Sequence, residues 1–144
     1  MEATMSDTGW YQLTAKLSSV VFGLVPRDTL ILHKERRRYV QLAHVGSAVH
    51  AETVSNKFLP ADQRLSAEQE RRLTELGWLL PEPPGNLNYY HEISVPVSVA
   101  EAQRLARLLV QTLREIHGVD SPAELVTEGW NDQTGQPLSF TIPA

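Results

Sequence analysis

Trp10, Leu13, Leu17, Val20, Val21 and Leu24 recur at helical spacing. They predict a first helix over about 8–24 with one apolar face. Ser6 or Asp7 stands where a cap belongs, and Pro26 stops the helix. A second stripe, Tyr11, Ala15, Ser18 and Phe22, follows i, i+4, i+7 and i+11 on the same helix. A surface helix covered on one side has no need of aromatic rings there. Either the helix is buried on two sides, or the second stripe meets a partner.

The pattern then changes to a period of two. Residues 29–33 form a short apolar run. In 38–45, Tyr39, Gln41, Ala43 and Val45 share one face, with Val40 and Leu42 on the other. In 47–54, Val49, Ala51 and Thr53 oppose Ala48, His50 and Glu52. The short connections, Lys34-Glu35-Arg36-Arg37 and Gly46, predict an antiparallel meander. Residues 54–65 read as a loop with at most a helical turn.

Two further helices announce themselves by their starts. Ser66-Ala67-Glu68-Gln69 and Ser98-Val99-Ala100-Glu101 have the capping-box pattern, in which Ser and the third following residue satisfy each other's backbone N–H. Gly77 stops the first of these helices. Trp78-Leu79-Leu80 opens a buried segment, the prolines from Pro81 to Pro84 force a turn, and 88–95 reads as a strand. In the longest helix Val99, Ala102, Ala106, Leu109, Leu113 and Ile116 form the core stripe, while Arg104, Arg107, Gln111 and Arg114 face away. Gly118 ends it. Ser121-Pro122-Ala123-Glu124 starts a last short helix. The tail from Gly129 is rich in turn residues, although Trp130, Leu138 and Phe140 offer docking groups.

Helices before and after a group of strands give an α+β class, with an antiparallel sheet packed against helices. The expected organisation is one domain over 1–144, with a core at about 8–128 and loosely held ends at 1–7 and 131–144.

Composition narrows the function. The 144 residues are 42% hydrophobic and 21% charged, ordinary values for a globular protein. A net charge of −4 disfavours nucleic acid as a partner. The absence of cysteine removes disulfides, thiolate zinc sites and cysteine nucleophiles. The start of the chain lacks a signal-peptide pattern, and the best apolar run, Val20 to Val25, is far below the roughly 20 residues of a membrane span. A cytoplasmic protein without a membrane partner is therefore expected.

Catalytic signals are sparse. The five histidines form no HExxH and no pair at i, i+4. His44 and His50 approach each other across the Gly46 turn in a simple hairpin, but a metal site needs further ligands. There is no nucleophile elbow and no phosphate-binding loop. Glu52 and Glu92 are candidates for an acid–base pair that nothing in their spacing requires. No enzyme activity, cofactor or metal is expected. The basic run Lys34, Arg36, Arg37, Arg38 either contacts phosphate or an acidic partner, or is a solvated hairpin turn. Leu108 lies among polar positions of the long helix, and with Leu105 it is a candidate dimer contact.

Tyr39-Val40-Gln41-Leu42, Glu52-Thr53-Val54-Ser55-Asn56-Lys57-Phe58-Leu59, Leu65-Ser66 and Leu76-Gly77-Trp78, followed by Pro81 and Asn86, together carry a resemblance. The stretch from about 38 to 125 is similar to the actinobacterial TY-Chap group, peptide-binding chaperone domains related to type III secretion chaperones and to YbjN. That resemblance implies an α-β-β-β-α-β-β-α order and a non-catalytic module that binds a peptide or a partly unfolded protein, often as a homodimer. Candidate peptide contacts are Tyr11, Phe22, Glu52, Ser55, Asn56 and Trp78. For Ser55 and Asn56 the competing reading is a capped turn toward Phe58 and Leu59. For Trp78 it is a place in the core. The alternative role is a structural or regulatory homodimer subunit without a client.

Overall fold

A computed structural model describes residues 5–142, with side chains from Asp7 onward. Helix α1 spans Met5–Gly23, and strands β1 (Asp28–Lys34), β2 (Arg38–Val45) and β3 (Ala48–Thr53) follow. After a 3-10 turn at Ala61–Gln63 come α2 (Ala67–Leu76), β4 (Tyr89–Ser94) and α3 (Val99–Glu115). A second 3-10 turn, Pro122–Glu124, leads into β5 (Val126–Asn131). The five strands are all antiparallel and lie in the order β4-β3-β2-β1-β5. No helix among the described residues is long and apolar enough to cross a membrane.

The two predicted capping boxes are both present. Ser66 Oγ accepts from the Gln69 N–H while Gln69 Oε1 accepts from the Ser66 N–H, and Ser98 and Glu101 do the same. Gly77 has φ +120°, a region closed to most side chains, and its N–H closes the end of α2 on Leu73 and Thr74 carbonyls.

The strand faces follow the predicted alternation. Val40, Leu42, Val49 and Ala51 are at most 1% exposed and lie on the side covered by helices. Tyr39, Gln41, Ala43, Ala48, His50 and Glu52 lie on the other face, partly open to water. Helix α3 lies on β2 and is also packed by α1 and α2. Contact from three sides explains why its buried set is wider than one stripe and includes Leu105, Val110 and Thr112. Val99, placed at the first turn, is instead 58% exposed.

Three expectations are corrected. The first helix begins at Met5, so Ser6 and Asp7 lie inside it rather than capping it; of the loose ends expected at 1–7 and 131–144, the parts at 1–4 and 143–144 lie outside the described residues. The last short helix is a single 3-10 turn. Ser121 Oγ accepts from the Ala123 N–H, but the chain returns to an extended conformation at Leu125 and pairs with β1. The second strand that the resemblance implied between α2 and α3 shrinks to two isolated bridges, Leu79 with Tyr90 and Glu82 with Asn86, because the prolines among them have no N–H to extend a ladder. The fifth strand of the sheet comes after α3 instead.

The tail after β5 is tied down. Leu138 N–H donates to the Gly129 carbonyl at 3.0 Å, and Leu138, Phe140 and Ile142 pack against the core. Gly129 is a strand residue here, and a Cβ on it would meet Leu138 Cβ at 3.0 Å and Leu30 Cδ1 at 3.2 Å. Its missing side chain admits the tail.

Candidate functional site

The second stripe of α1 is not buried. Tyr11 is 73% and Phe22 55% exposed. The two-sided burial considered from sequence is therefore excluded, and the rings stand at the ends of a groove between α1 and α3. Ala15, Ser18 and Ser19 form its floor on α1, while Val99, Gln103 and Arg107 of α3 face them. The concavity measures about 610 Å³. Small side chains on α1 create the depth, and Tyr11, Phe22 and Val99 give it apolar rims. Arg107 adds a cation. Sequence periodicity missed Val99 because it assigned the whole stripe of α3 to the core. The usable signal is its position directly after the cap, where the helix extends past its packing partners.

The other candidate contacts lie elsewhere. Ser55 is 5% exposed. Its hydroxyl donates to the Leu87 carbonyl at 2.8 Å, and its N–H donates to Asn88 Oδ1 at 2.9 Å. Asn56 spans its own loop, since Nδ2 donates to the Leu65 carbonyl at 3.1 Å and Oδ1 accepts from the Leu65 N–H at 2.6 Å. The polar atoms of both residues are thus spent on holding the chain, which is the capped-turn reading. Trp78 is 2% exposed, and its indole N–H donates to Thr112 Oγ1 at 2.8 Å. It is a core residue that fixes the end of α2 to α3, not a surface for a ligand. Leu105 is likewise 2% exposed and so cannot form a dimer contact. Leu108 is half-buried against the core on the side of α3 near Thr112 and Trp78.

Glu52 belongs to a different group. On the open sheet face, His50 Nδ1 lies 3.2 Å from Glu92 Oε1, and its Nε2 lies 3.8 Å from Glu52 Oε1. The imidazole stacks on Tyr90 with centroids 5.9 Å apart. Glu52 does most to raise the His50 pKa; burial opposes it, and Glu92 adds to the rise. Glu52 and Glu92 do come together, as two carboxylates around one imidazole on a sheet surface. His44 does not join them. It pairs with Val49, on the covered face, whereas His50 pairs with Ala43. Neighbours across a strand alternate faces, so the hairpin separates the two rings.

On the covered face a second histidine is treated in the opposite way. His117 is buried, its Nε2 lies 2.7 Å from Thr53 Oγ1, and its Nδ1 lies 3.4 Å from Arg38 Nη1. The Thr53 hydroxyl already gives its proton to the Tyr39 carbonyl. Nε2 therefore carries the imidazole hydrogen, and Nδ1 is left to accept from Arg38. Burial, and then the Arg38 charge, push the His117 pKa down to about 3. Arg38 also donates to the Gln63 carbonyl at 2.8 Å and to Ile116 O at 3.4 Å. It ties the start of β2 to the end of α3.

Comparison with known families places the chain. Residues 3–131 match the family TY-Chap3, described as T3SS (YopN, CesT) and YbjN peptide-binding chaperone 3, and the chain belongs to it. No curated protein and no solved structure matches the chain.

Proposed function

We propose that this TY-Chap3 protein is a non-catalytic chaperone-like module that receives an apolar peptide segment in the groove between α1 and α3. The observation that carries the reading is the placement of Tyr11, Phe22 and Val99, each more than half exposed, around that one groove. Isolated exposed apolar residues are common, but large ones gathered at a concavity mark an interaction site. Family membership supports a peptide as the occupant. An amphipathic or extended segment would lay its apolar side chains between the two aromatic rims, and Arg107 would meet a polar or acidic group at the edge. The His50 cluster lies on the sheet's open face, outside the groove lining, and takes no part.

The test is the pair Tyr11→Ala with Phe22→Glu, read by circular dichroism and by peptide-array binding. Both side chains are exposed, so the stability should change by no more than about 0.5 kcal/mol. Binding of apolar peptides should fall by at least about tenfold, as expected when large aromatic contacts are lost. Unaltered binding by a folded variant rejects the groove. Self-association without a client, the other role expected from sequence, would use Leu108 or a sheet edge, since Leu105 is buried. A concentration-independent monomeric mass by light scattering would exclude it.

A further inference from the structure

The basic run of the β1–β2 connection is divided by the fold. Lys34 pairs with Glu124 at 3.1 Å, and Arg38 is committed to the end of α3. Arg36 and Arg37 remain exposed in the turn. A third cation, Lys57, joins them from the loop after β3. The side chains of these three residues have no hydrogen-bond or ion-pair partner among the described residues. Together with Tyr39, Phe58 and Pro60 they line an open concavity of about 580 Å³. Phe58 is 51% exposed while its neighbour Leu59 is buried. Glu35, the acid in this turn, acts on Lys34.

The turn itself is an unusual place for these side chains. Glu35 and Arg36 have φ of +57° and +61°, values that two-residue hairpin loops usually fill with Asn-Gly. Local backbone preference and residue choice disagree here, which is a mark of side chains kept for another purpose.

We infer that this concavity recognises acidic peptide segments, with Arg36, Arg37 and Lys57 holding carboxylates and Phe58 covering an adjacent apolar side chain. The inference rests on the peptide-binding reading above and adds the chemistry of the client. Two observations favour a peptide over a nucleic acid. The chain as a whole is acidic, at −4, so a long polyanion is repelled beyond the site. Tyr39 has its hydroxyl engaged by Asn88 Nδ2, leaving Phe58 as a single free ring, whereas single-strand platforms stack successive bases on several rings.

The experiment uses the full chain and fluorescence anisotropy. The probes are a short labelled Glu/Leu/Phe peptide, the same peptide with each Glu replaced by Gln, and a single-stranded oligothymidylate. The Glu peptide should bind at least about tenfold tighter than its Gln counterpart, the sum expected of three partly exposed charge contacts. Arg36→Asn, Arg37→Gln and Lys57→Gln together should abolish that preference; Asn tolerates the positive φ of the turn. Arg104→Gln, on the exposed side of α3, should leave it intact. On the wild-type protein alone, added salt should weaken the Glu peptide and spare the Gln peptide, a readout that does not depend on any variant folding. Equal binding of the two peptides overturns the inference and leaves the peptide reading standing. Absence of any peptide binding overturns both. Oligothymidylate binding tighter than the Glu peptide overturns the inference in favour of a nucleic acid.

Discussion

Two histidines, His50 on the open face of the sheet and His117 against its covered face, have their pKa values moved in opposite directions by the fold. Against the covered face, His117 is buried just past the end of α3 beside Arg38, with its pKa pushed down to about 3. On the open face, His50 lies between Glu52 and Glu92 with its pKa raised. The same side chain is held toward its neutral, hydrogen-bonding form in one place and favoured in its protonated form by neighbouring carboxylates in the other. Burial decides the first case, and neighbouring carboxylates decide the second. The difference shows where the stability of this molecule resides: beneath the helices, where polar groups must be matched one to one, and only weakly on the side where water can replace any partner.

The largest expected effect separates the faces at adjacent positions of β2. Leu42 is fully buried, and Leu42→Ala should destabilise by about 2–5 kcal/mol through lost burial and an unfilled cavity. Its neighbour Gln41 points to the open face, and Gln41→Ala should stay within about 0.5 kcal/mol. Urea titration of both variants measures this directly. Similar losses at the two positions would break the comparison.

The next effect concerns pH. A histidine with a depressed folded pKa contributes stability that is fully present above its unfolded value, near 6.5, and is lost as pH falls toward the folded one. For His117 that window runs from about 6.5 down to about 3. The loss should be on the order of 3 kcal/mol by pH 4. In His117→Gln, which can still bridge Thr53 and Arg38, the part of the acid destabilisation due to this residue should vanish. Denaturant midpoints between pH 7 and 4 provide the measurement, and an unchanged acid slope would show that His117 is not the group being protonated.

The smallest effect belongs to His50, and its sign is reversed. A raised folded pKa gives stability that is present below about 6.5 and fades as pH rises through the folded value. The groups are partly exposed, so the whole contribution should remain under about 1 kcal/mol. A double-mutant cycle with His50→Ala and Glu92→Gln at pH 5.5 and pH 9 should find coupling at the lower pH alone. Coupling that persists at pH 9 would mean a neutral hydrogen bond, not charge, holds the pair.

Much of the covered side was legible beforehand. The alternation of β2 and β3, both capping boxes and the stop at Gly77 are local instructions, and each is obeyed. The capped-turn reading of Ser55 and Asn56, and the core reading of Trp78, also agree with their hydrogen bonds. Elements without a local instruction were misread. The residues of β5 sit between a helix-start pattern and a turn-rich tail, and only pairing with β1 makes them a strand. Leu105 was placed on the surface because α2 and α1 both pack against α3, a fact absent from the helix's own periodicity. The Tyr11–Phe22 stripe was recognised as unusual, but periodicity alone left two-sided burial open.

The sequence by itself determined the α+β class, the inward face of β2 and β3, and the ends of α2 and α3, since these depend on backbone capping and on apolar spacing within a few residues. The tertiary structure decided which apolar stripe of α1 stays in water, because that depends on where α3 lies. It also decided the opposite pKa shifts of His50 and His117 and the division of the basic run, in which Lys34 and Arg38 are drawn into contacts while Lys57 arrives from a distant loop to stand with Arg36 and Arg37. Charge and burial at a point are sums over the whole fold, and no window of the chain contains them.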